Sequence, residues 1–425
     1  MATLFRLRVV LAAVLPLLVP ATALSESICD PDGLQDNGSI YRICMPPANE
    51  YNGNLIIWAH GFQDAGTPVE IPENQLCIDG FCIPDLVNGL GFGFATNSYS
   101  KTGLAIRQGM DDIVDLVDIF AATKGAPARV YLTGASEGGI ITALLVEGRP
   151  DVFAAGVAAC GPVGNFPFQI NYFGNGRAAF QYFFPGLIPG DPFHPDQTLV
   201  DNWSAYYDQV VKPAVLDPSN RARLDQLVAV ARLPFDADNY LETVEESVRD
   251  VLGYSVVNLN DATQTLGGFP FDNRNRRYRG SNNDLLLNLL IPRVDAHPEA
   301  IIEMETFYNT NGILERPLVT LHTLRDQQIP YIHELFYILK TLASGSFLVR
   351  HANVRIDRYG HCSFTAGEVL FAFALMLAYD RNLIELTGVG STLEGEDLVR
   401  FEERARAASL PYRLEGTNLA AKLRE

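Results

Sequence analysis

The stretch Val130–Leu145, VYLTGASEGGIITALL, holds a serine between glycines at the junction of two apolar runs. Val130, Tyr131 and Leu132 are β-branched, aromatic and aliphatic, the composition of a buried strand. Ile140 to Val146 repeats apolar residues at helical spacing, and Gly148-Arg149-Pro150 supplies a stop. Ser136 therefore stands where a strand turns into a helix, flanked by Gly134 and Gly138 as G-x-S-x-G. In so sharp a turn a side chain at 134 or 138 would strike neighbouring backbone. The turn lifts the serine Oγ clear of the sheet, and the helix N-terminus puts free N–H groups beside it. A glycine-rich βα loop with an incidental serine is the plainer alternative, so the rest of the chain decides.

On either side of this stretch, strand-like and helix-like segments alternate. Asn54 to His60 (NLIIWAH) and Gly91 to Ser98 (GFGFATNS) read as strands. Gln108 to Thr123 reads as an amphipathic helix with Met110, Ile113, Leu116, Val117 and Phe120 on one face. Val152 to Val163 reads as a further buried strand. Alternation resumes with a strand from Pro317 to Leu321, a helix over 329–342, a strand over 347–356 and an apolar helix over 364–379. This pattern predicts an α/β fold with a mostly parallel sheet covered by helices on both faces. From about Gly164 to Met304 the alternation breaks, and the segment is aromatic and loop-rich before turning helical, as over 239–252. It reads as an inserted, mainly helical cap.

A serine hydroxyl is a poor nucleophile until a base takes its proton, a third group orients that base, and donors meet the developing oxyanion. The chain offers all of these at the C-terminal ends of strands, where parallel sheets place their sites. His361 follows the last strand in RYGHCSF, and Asp326 follows the strand beginning at Pro317. His60-Gly61-Phe62 follows the first strong strand. Asp357, four residues before His361, is the rival acid, less suited than a partner arriving from the preceding strand. His194, His297, His333 and His351 have no matching context.

These motifs, the HG segment, GASEGG, LHTLRDQQIP and the terminal GHC, resemble the α/β-hydrolase superfamily over roughly Asn54 to Tyr379, the cap excepted. Within it the chain is similar to secreted esterases and to prolyl-oligopeptidase-like hydrolases. The resemblance implies Ser136 as nucleophile, His361 as general acid/base and Asp326 as orienting acid. It implies an oxyanion hole made by the backbone N–H groups of Phe62 and Glu137, and a structural histidine at His322. Tannase-like and feruloyl-esterase-like enzymes tie the nucleophile region to the histidine loop by a disulfide whose cysteine directly precedes the serine. Here Ala135 stands in that place, and Cys160 either pairs with Cys362 or both remain separate thiols.

The implied activity is a serine hydrolase acting on a small-molecule carboxylic ester through an acyl-enzyme. The crowd of aromatic residues from Phe166 to Phe184 points to a substrate with an apolar or aromatic part, although an inserted domain also needs a core of its own. A serine peptidase of the prolyl-oligopeptidase type uses the same triad, but no propeller precedes the catalytic segment. A non-catalytic binding protein on this fold would usually have lost a triad member.

Composition bounds the rest. A net charge of −18 and a pI near 4.8 argue against nucleic acid as a partner. No cofactor and no metal is expected: His333-Glu334 does not continue as H-E-x-x-H, and Cys77 and Cys82 have no second cysteine pair. Gly89 to Phe94 lacks the spacing of a dinucleotide fingerprint. Arg6 and Arg8, the apolar run Val9 to Pro20 and Ala21-Thr22-Ala23 read as a secretory signal cleaved near Ala23, with no membrane anchor left. Export makes the six cysteines candidates for disulfides, most economically Cys29 with Cys44 and Cys77 with Cys82. The expected domains are a signal peptide at 1–23, a catalytic domain at 24–163 and 305–390, the cap at 164–304 and a tail at 391–425.

Overall fold

A computed structural model describes residues 27–381, so the expected signal peptide and the tail at 391–425 lie outside the described residues. Eleven strands are described in order: β1 (Ile28–Cys29), β2 (Gly33–Leu34), β3 (Ile40–Met45), β4 (Asn54–Ala59), β5 (Cys77–Ile78), β6 (Phe81–Cys82), β7 (Gly93–Asn97), β8 (Arg129–Ala135), β9 (Ala155–Ala159), β10 (Leu318–Arg325) and β11 (His351–Tyr359). The central sheet runs β1-β3-β7-β4-β8-β9-β10-β11, with β2 hanging on β3. β1 and β2 pair antiparallel with β3, and β3 antiparallel with β7. From β7 to β11 every pairing is parallel. The chain thus enters through an antiparallel edge, crosses over so that β7 lies outside β4, and then winds in one direction. That is the α/β-hydrolase order.

Helices α1 (Ile83–Gly89), α2 (Ile106–Lys124), α3 (Glu137–Gly148), α4 (Phe166–Phe183), α5 (Arg221–Ala231), α6 (Tyr240–Val257), α7 (Ile332–Ser344) and α8 (Ala366–Asp380) are the ones that matter to the site. Ile113, Leu116 and Phe120 of α2 are fully buried, with Met110 and Val117 packed at the margin of the same cluster. Alternate residues of the central strands point to opposite faces. Leu55, Ile57 and Leu132 meet α2 and α3, while Ile56, Trp58, Val157 and Leu321 meet the side carrying α1 and α8. Each such side chain contributes about 1.5–3 kcal/mol by leaving water.

Two strands are shorter than the sequence suggests. The segment expected over 152–163 is extended only over Ala155–Ala159, because the amides of Val152 and Phe153 turn back to the Arg149 carbonyl and Cys160 adopts φ 45°. The segment expected from Phe347 starts at His351, because Leu348 sits at φ 62° and the Phe347 amide bonds to Thr341 at the end of α7. Strands β1 to β3 and the β5–β6 hairpin went unrecognised in the sequence. Disulfides staple both: Cys29 faces Cys44 across β1–β3, and Cys77 faces Cys82 across β5–β6. A third bond joins Cys160, after β9, to Cys362.

Between β9 and β10 the chain is helical, from α4 to Pro298–Phe307. Phe180, Val211, Leu224, Val244 and Leu252 are buried there in a hydrophobic cluster separate from the two beside the sheet. Asn165 starts α4 by accepting the Phe168 amide at 2.7 Å.

A Cβ at Gly138 would lie 2.0 Å from the Ala59 carbonyl oxygen, whereas one at Gly148, on the same helix, would meet nothing. Gly138→Ala is therefore expected to lose at least ~3 kcal/mol, since backbone rather than a side chain must yield. Gly148→Ala is expected to be neutral or to gain ~0.5–1 kcal/mol. Urea unfolding of the two variants checks this; equal stabilities would contradict it.

Candidate active site

Ser136 ends β8 and begins α3 with φ 59° and ψ −119°, a conformation that side chains rarely tolerate. Its surroundings hold it there. The Ser136 amide donates to the Ala159 carbonyl, and the Ser136 carbonyl accepts from Gly139 and Ile140. A Cβ at Gly134 would come within 2.3 Å of the Gly138 carbonyl, so both glycines are needed for the backbone to fold against itself.

His361 lies in the loop between β11 and α8. Its Nε2 is 2.9 Å from Ser136 Oγ, and its Nδ1 is 2.8 Å from Asp326 Oδ2. Asp326 is fully buried, and its Oδ1 accepts the amides of Gln328 at 2.9 Å and Ile329 at 2.8 Å. Burial pushes its carboxyl upward, but His361 and His322 outweigh that and hold it well below the usual carboxylate range. The rival Asp357 points away, accepting from Arg325 Nη1 at 2.7 Å. The loop is anchored by the Cys160–Cys362 bond, which leaves no thiolate beside His361.

Behind the acid is a second layer. His322, on β10, is fully buried with Nε2 2.8 Å from the Ile329 carbonyl and 3.3 Å from Asp326 Oδ2. Its Nδ1 is 3.1 Å from Glu334 Oε1. A carbonyl and a carboxylate both accept, so both ring nitrogens donate and the imidazole is cationic between two acids. Burial alone would lower its pKa, yet Asp326 and Glu334 raise it to about 10. Glu334 Oε2 in turn accepts from Asn353 Nδ2 at 2.7 Å, and Asn353 Oδ1 from the Tyr331 hydroxyl. Glu334 and Asn353 went unnoticed in the sequence. The only available signal was the position of Glu334 on the helix that follows the acid loop.

His60, Gly61 and Phe62 leave the end of β4 beside the serine. The His60 ring stacks on Tyr99 at 3.8 Å and donates from Nδ1 to the Gly61 carbonyl. Burial lowers it to about 4, so it is neutral. The Gly61 amide donates to Gln75 Oε1 at 2.6 Å. No acceptor within the described residues takes the amides of Phe62 or Glu137. Burial pushes the Glu137 carboxyl up to about 8, against the opposing pull of the Ala105 amide that it accepts. The remaining histidines stand apart: His194 pairs with Asp191 on the surface, and His351 is buried between Thr320 and Thr341.

Two cavities open at Ser136. The larger, about 660 Å³, runs beneath the helical segment and down between the sheet and helices α1 and α8, past Trp58, Val157 and Phe373. The smaller, about 100 Å³, lies on the other side of the serine against α4, with Phe166 and Phe173 in its wall. Of the aromatic crowd on α4, Tyr172, Phe180, Phe183 and Phe184 instead belong to the hydrophobic cluster of the helical segment. Helices α4 and α6 also grip the acid loop. Tyr172 donates to the Gln327 carbonyl at 2.9 Å, and Asp250 accepts from both Gln327 and Gln328.

Residues 88–172 match the prolyl oligopeptidase family model. A 68-residue segment is 43% identical to feruloyl esterase B of Talaromyces funiculosus, covering 15% of this chain and 19% of that protein. Among solved structures, an esterase from Aspergillus oryzae aligns over 87% of this chain and 82% of its own at 13% identity, with a TM-score of 0.45. An acylaminoacyl peptidase from Pyrococcus horikoshii aligns over 94% of this chain and 44% of its own at 12% identity, with a TM-score of 0.37. The chain has the α/β-hydrolase fold; its sequence likeness to the prolyl oligopeptidase family is confined to residues 88–172, which enclose Ser136, and the 68 matched residues span about a fifth of the feruloyl esterase's length.

A histidine raised from 6.5 to about 10 stabilises the fold fully below about pH 6.5, and that contribution is lost as pH climbs through 10. Asp326, held low, contributes above about pH 4 and loses its share on acidification. Glu334→Gln removes one of the two carboxylates facing His322. It is expected to cost about 3 kcal/mol at pH 7 and to flatten the fall in stability between pH 7 and 10. Urea midpoints across that range decide; identical slopes in variant and wild type would refute the cationic bridge.

Proposed function

We propose that the protein is a serine hydrolase that cleaves carboxylic esters. The observation that carries this reading is the linear arrangement Ser136 Oγ–His361 Nε2 and His361 Nδ1–Asp326 Oδ2, at 2.9 and 2.8 Å. In this reading His361 takes the serine proton as Oγ attacks the ester carbonyl, and Asp326 keeps the ring oriented and balances the imidazolium. The amides of Phe62 and Glu137 receive the developing oxyanion. His361 then gives the proton to the leaving alcohol, and water repeats the sequence to release the acid. The residues between β9 and β10 act as the cap over the serine. Three disulfides support an exported protein, since such bonds persist in oxidising compartments.

The larger cavity supports a substrate with an apolar part. Its walls below Ser136 are Ile56, Trp58, Val157, Leu321 and Phe373; Ile56 stands opposite Tyr131, so at ~3.3 Å per strand residue the cavity reaches about 16 Å down from the serine. The floor is firm, because Phe373 packs edge-on against Phe92 and Phe92 against Tyr131.

Fluorophosphonate labelling is expected to add one adduct to the wild type and none to Ser136→Ala, with kcat on a phenyl ester falling at least about 10⁴-fold. Matched amides are expected to turn over far more slowly than esters; equal rates would favour the peptidase reading. Val157→Phe fills the deep cavity without touching the serine. It is expected to lower kcat/KM for an octanoyl ester at least about tenfold relative to the acetyl ester, following ~1.4 kcal/mol per factor of ten. An unchanged ratio would remove the cavity from substrate binding.

A further inference from the structure

Helix α4 lays one stripe of side chains along the smaller cavity. Phe166, Gln169, Ile170, Phe173 and Arg177 recur at helical spacing and all line it. By a rise of ~1.5 Å per residue the stripe runs about 16 Å from Phe166 to Arg177. Ser136 and Glu137 lie in the same cavity wall.

Arg177 is the anomaly on this stripe. It is only 1% exposed, and it is the largest side chain buried so completely among the described residues. A buried guanidinium is normally matched by a carboxylate or by several acceptors. Here Nη1 donates to Gln181 Oε1 at 3.1 Å and Nε has no partner. No carboxylate pairs with it among the described residues. The one acid whose charge reaches it, Asp191, is taken up by His194 and the Phe193 amide. Burial lowers its pKa to about 10, so the group is still charged at neutral pH. It is the one cation lining this cavity. Between it and the serine the walls are rings: Phe173 stacks on Tyr254 at 4.4 Å, and Phe62 lies against Tyr254.

We infer that Arg177 is a substrate-anchoring residue whose unfilled donors receive a carboxylate, so that the ester taken here carries an acid group separated from the scissile bond by an apolar, preferably aromatic, spacer. A planar carboxylate fits a guanidinium fork with two parallel bonds, and the cavity is too small for a bulky polyanion. The unpaired charge in the free protein is the cost that such a ligand removes. The inference rests on the ester-hydrolase reading for its scissile bond but not for its binding step.

The test therefore uses Ser136→Ala, which cannot turn over, with 4-phenylbutyrate and its neutral amide as probes in titration calorimetry. The carboxylate is expected to bind at least tenfold more tightly than the amide. Arg177→Met on that background should bring the ratio to about one while raising the melting temperature, because a buried unpaired charge is gone. Arg177→Lys, which keeps a charge without the fork, should give an intermediate ratio and stands in if the Met variant does not fold. Equal binding of the two probes to Ser136→Ala overturns the inference, and so does a preference that survives in Arg177→Met. Fluorophosphonate labelling of the wild type tests the activated serine without reference to Arg177, so the two readings fail separately.

Discussion

Everything at this site hangs on the contact between the start of α3 and the end of β4. Ser136 is held at positive φ, and Gly138 passes so close to the Ala59 carbonyl that no side chain fits between them. The same approach brings Gly61 against the Ser136 side chain, where a Cβ would stand 3.2 Å from that of the serine. A strained residue persists only where its surroundings over-determine it. Here β8 is flanked by β4 and β9 in parallel register, and the Ser136 amide is spent on Ala159. The strain is thus supported by the middle of the sheet, the least deformable part of the molecule. That turn leaves the Glu137 amide, the first of α3, without an acceptor among the described residues.

The charges behind the serine follow a different logic. Three titratable groups, Asp326, His322 and Glu334, are fully buried side by side. Isolated, each would be expensive to bury. In the sequence acid, imidazolium, acid they neutralise most of one another, and the outer acids are capped by the amides of Gln328 and Ile329 on one side and by Asn353 on the other. The arrangement fixes both oxygens of Asp326, so the oxygen that meets His361 has one available direction.

The sequence was most readable where local and global requirements coincide. β4, β7 and β8 combine apolar runs with glycine punctuation, and β4 leads into Gly61, which packs against the Ser136 side chain. The elbow glycines were legible because backbone collision is a local matter. The Cys29–Cys44 and Cys77–Cys82 bonds were legible because each joins cysteines near in sequence. Two-residue strands such as β1 and β5 carry no periodicity to detect, and they exist because a disulfide and a neighbouring strand hold them. Glu334, Gln75 and Arg177 were invisible for another reason. Glu334 and Gln75 meet partners 12 and 14 residues away across a loop, Arg177 lines a cavity built by several elements, and no local periodicity marks any of the three.

The two cavities differ in what surrounds them, and that difference follows from the layers of the fold. The larger one exists because α1, seven residues long, covers little of its face of the sheet, and because the side chains at Ala135 and Ala159 are small. Its lower walls are sheet and helix, so it is apolar by construction. The smaller one is made by α4 and α6 meeting the sheet end, so its wall includes whatever polar groups those helices bring. α4 and α6 are in turn hydrogen-bonded to Gln327 and Gln328, the two residues that follow Asp326. Moving these helices outward would break those bonds and disturb the loop that positions the acid. The roof over the serine and the loop behind it therefore form one unit, and a ligand that satisfies Arg177 would stiffen the same helix that holds Asp326 in place.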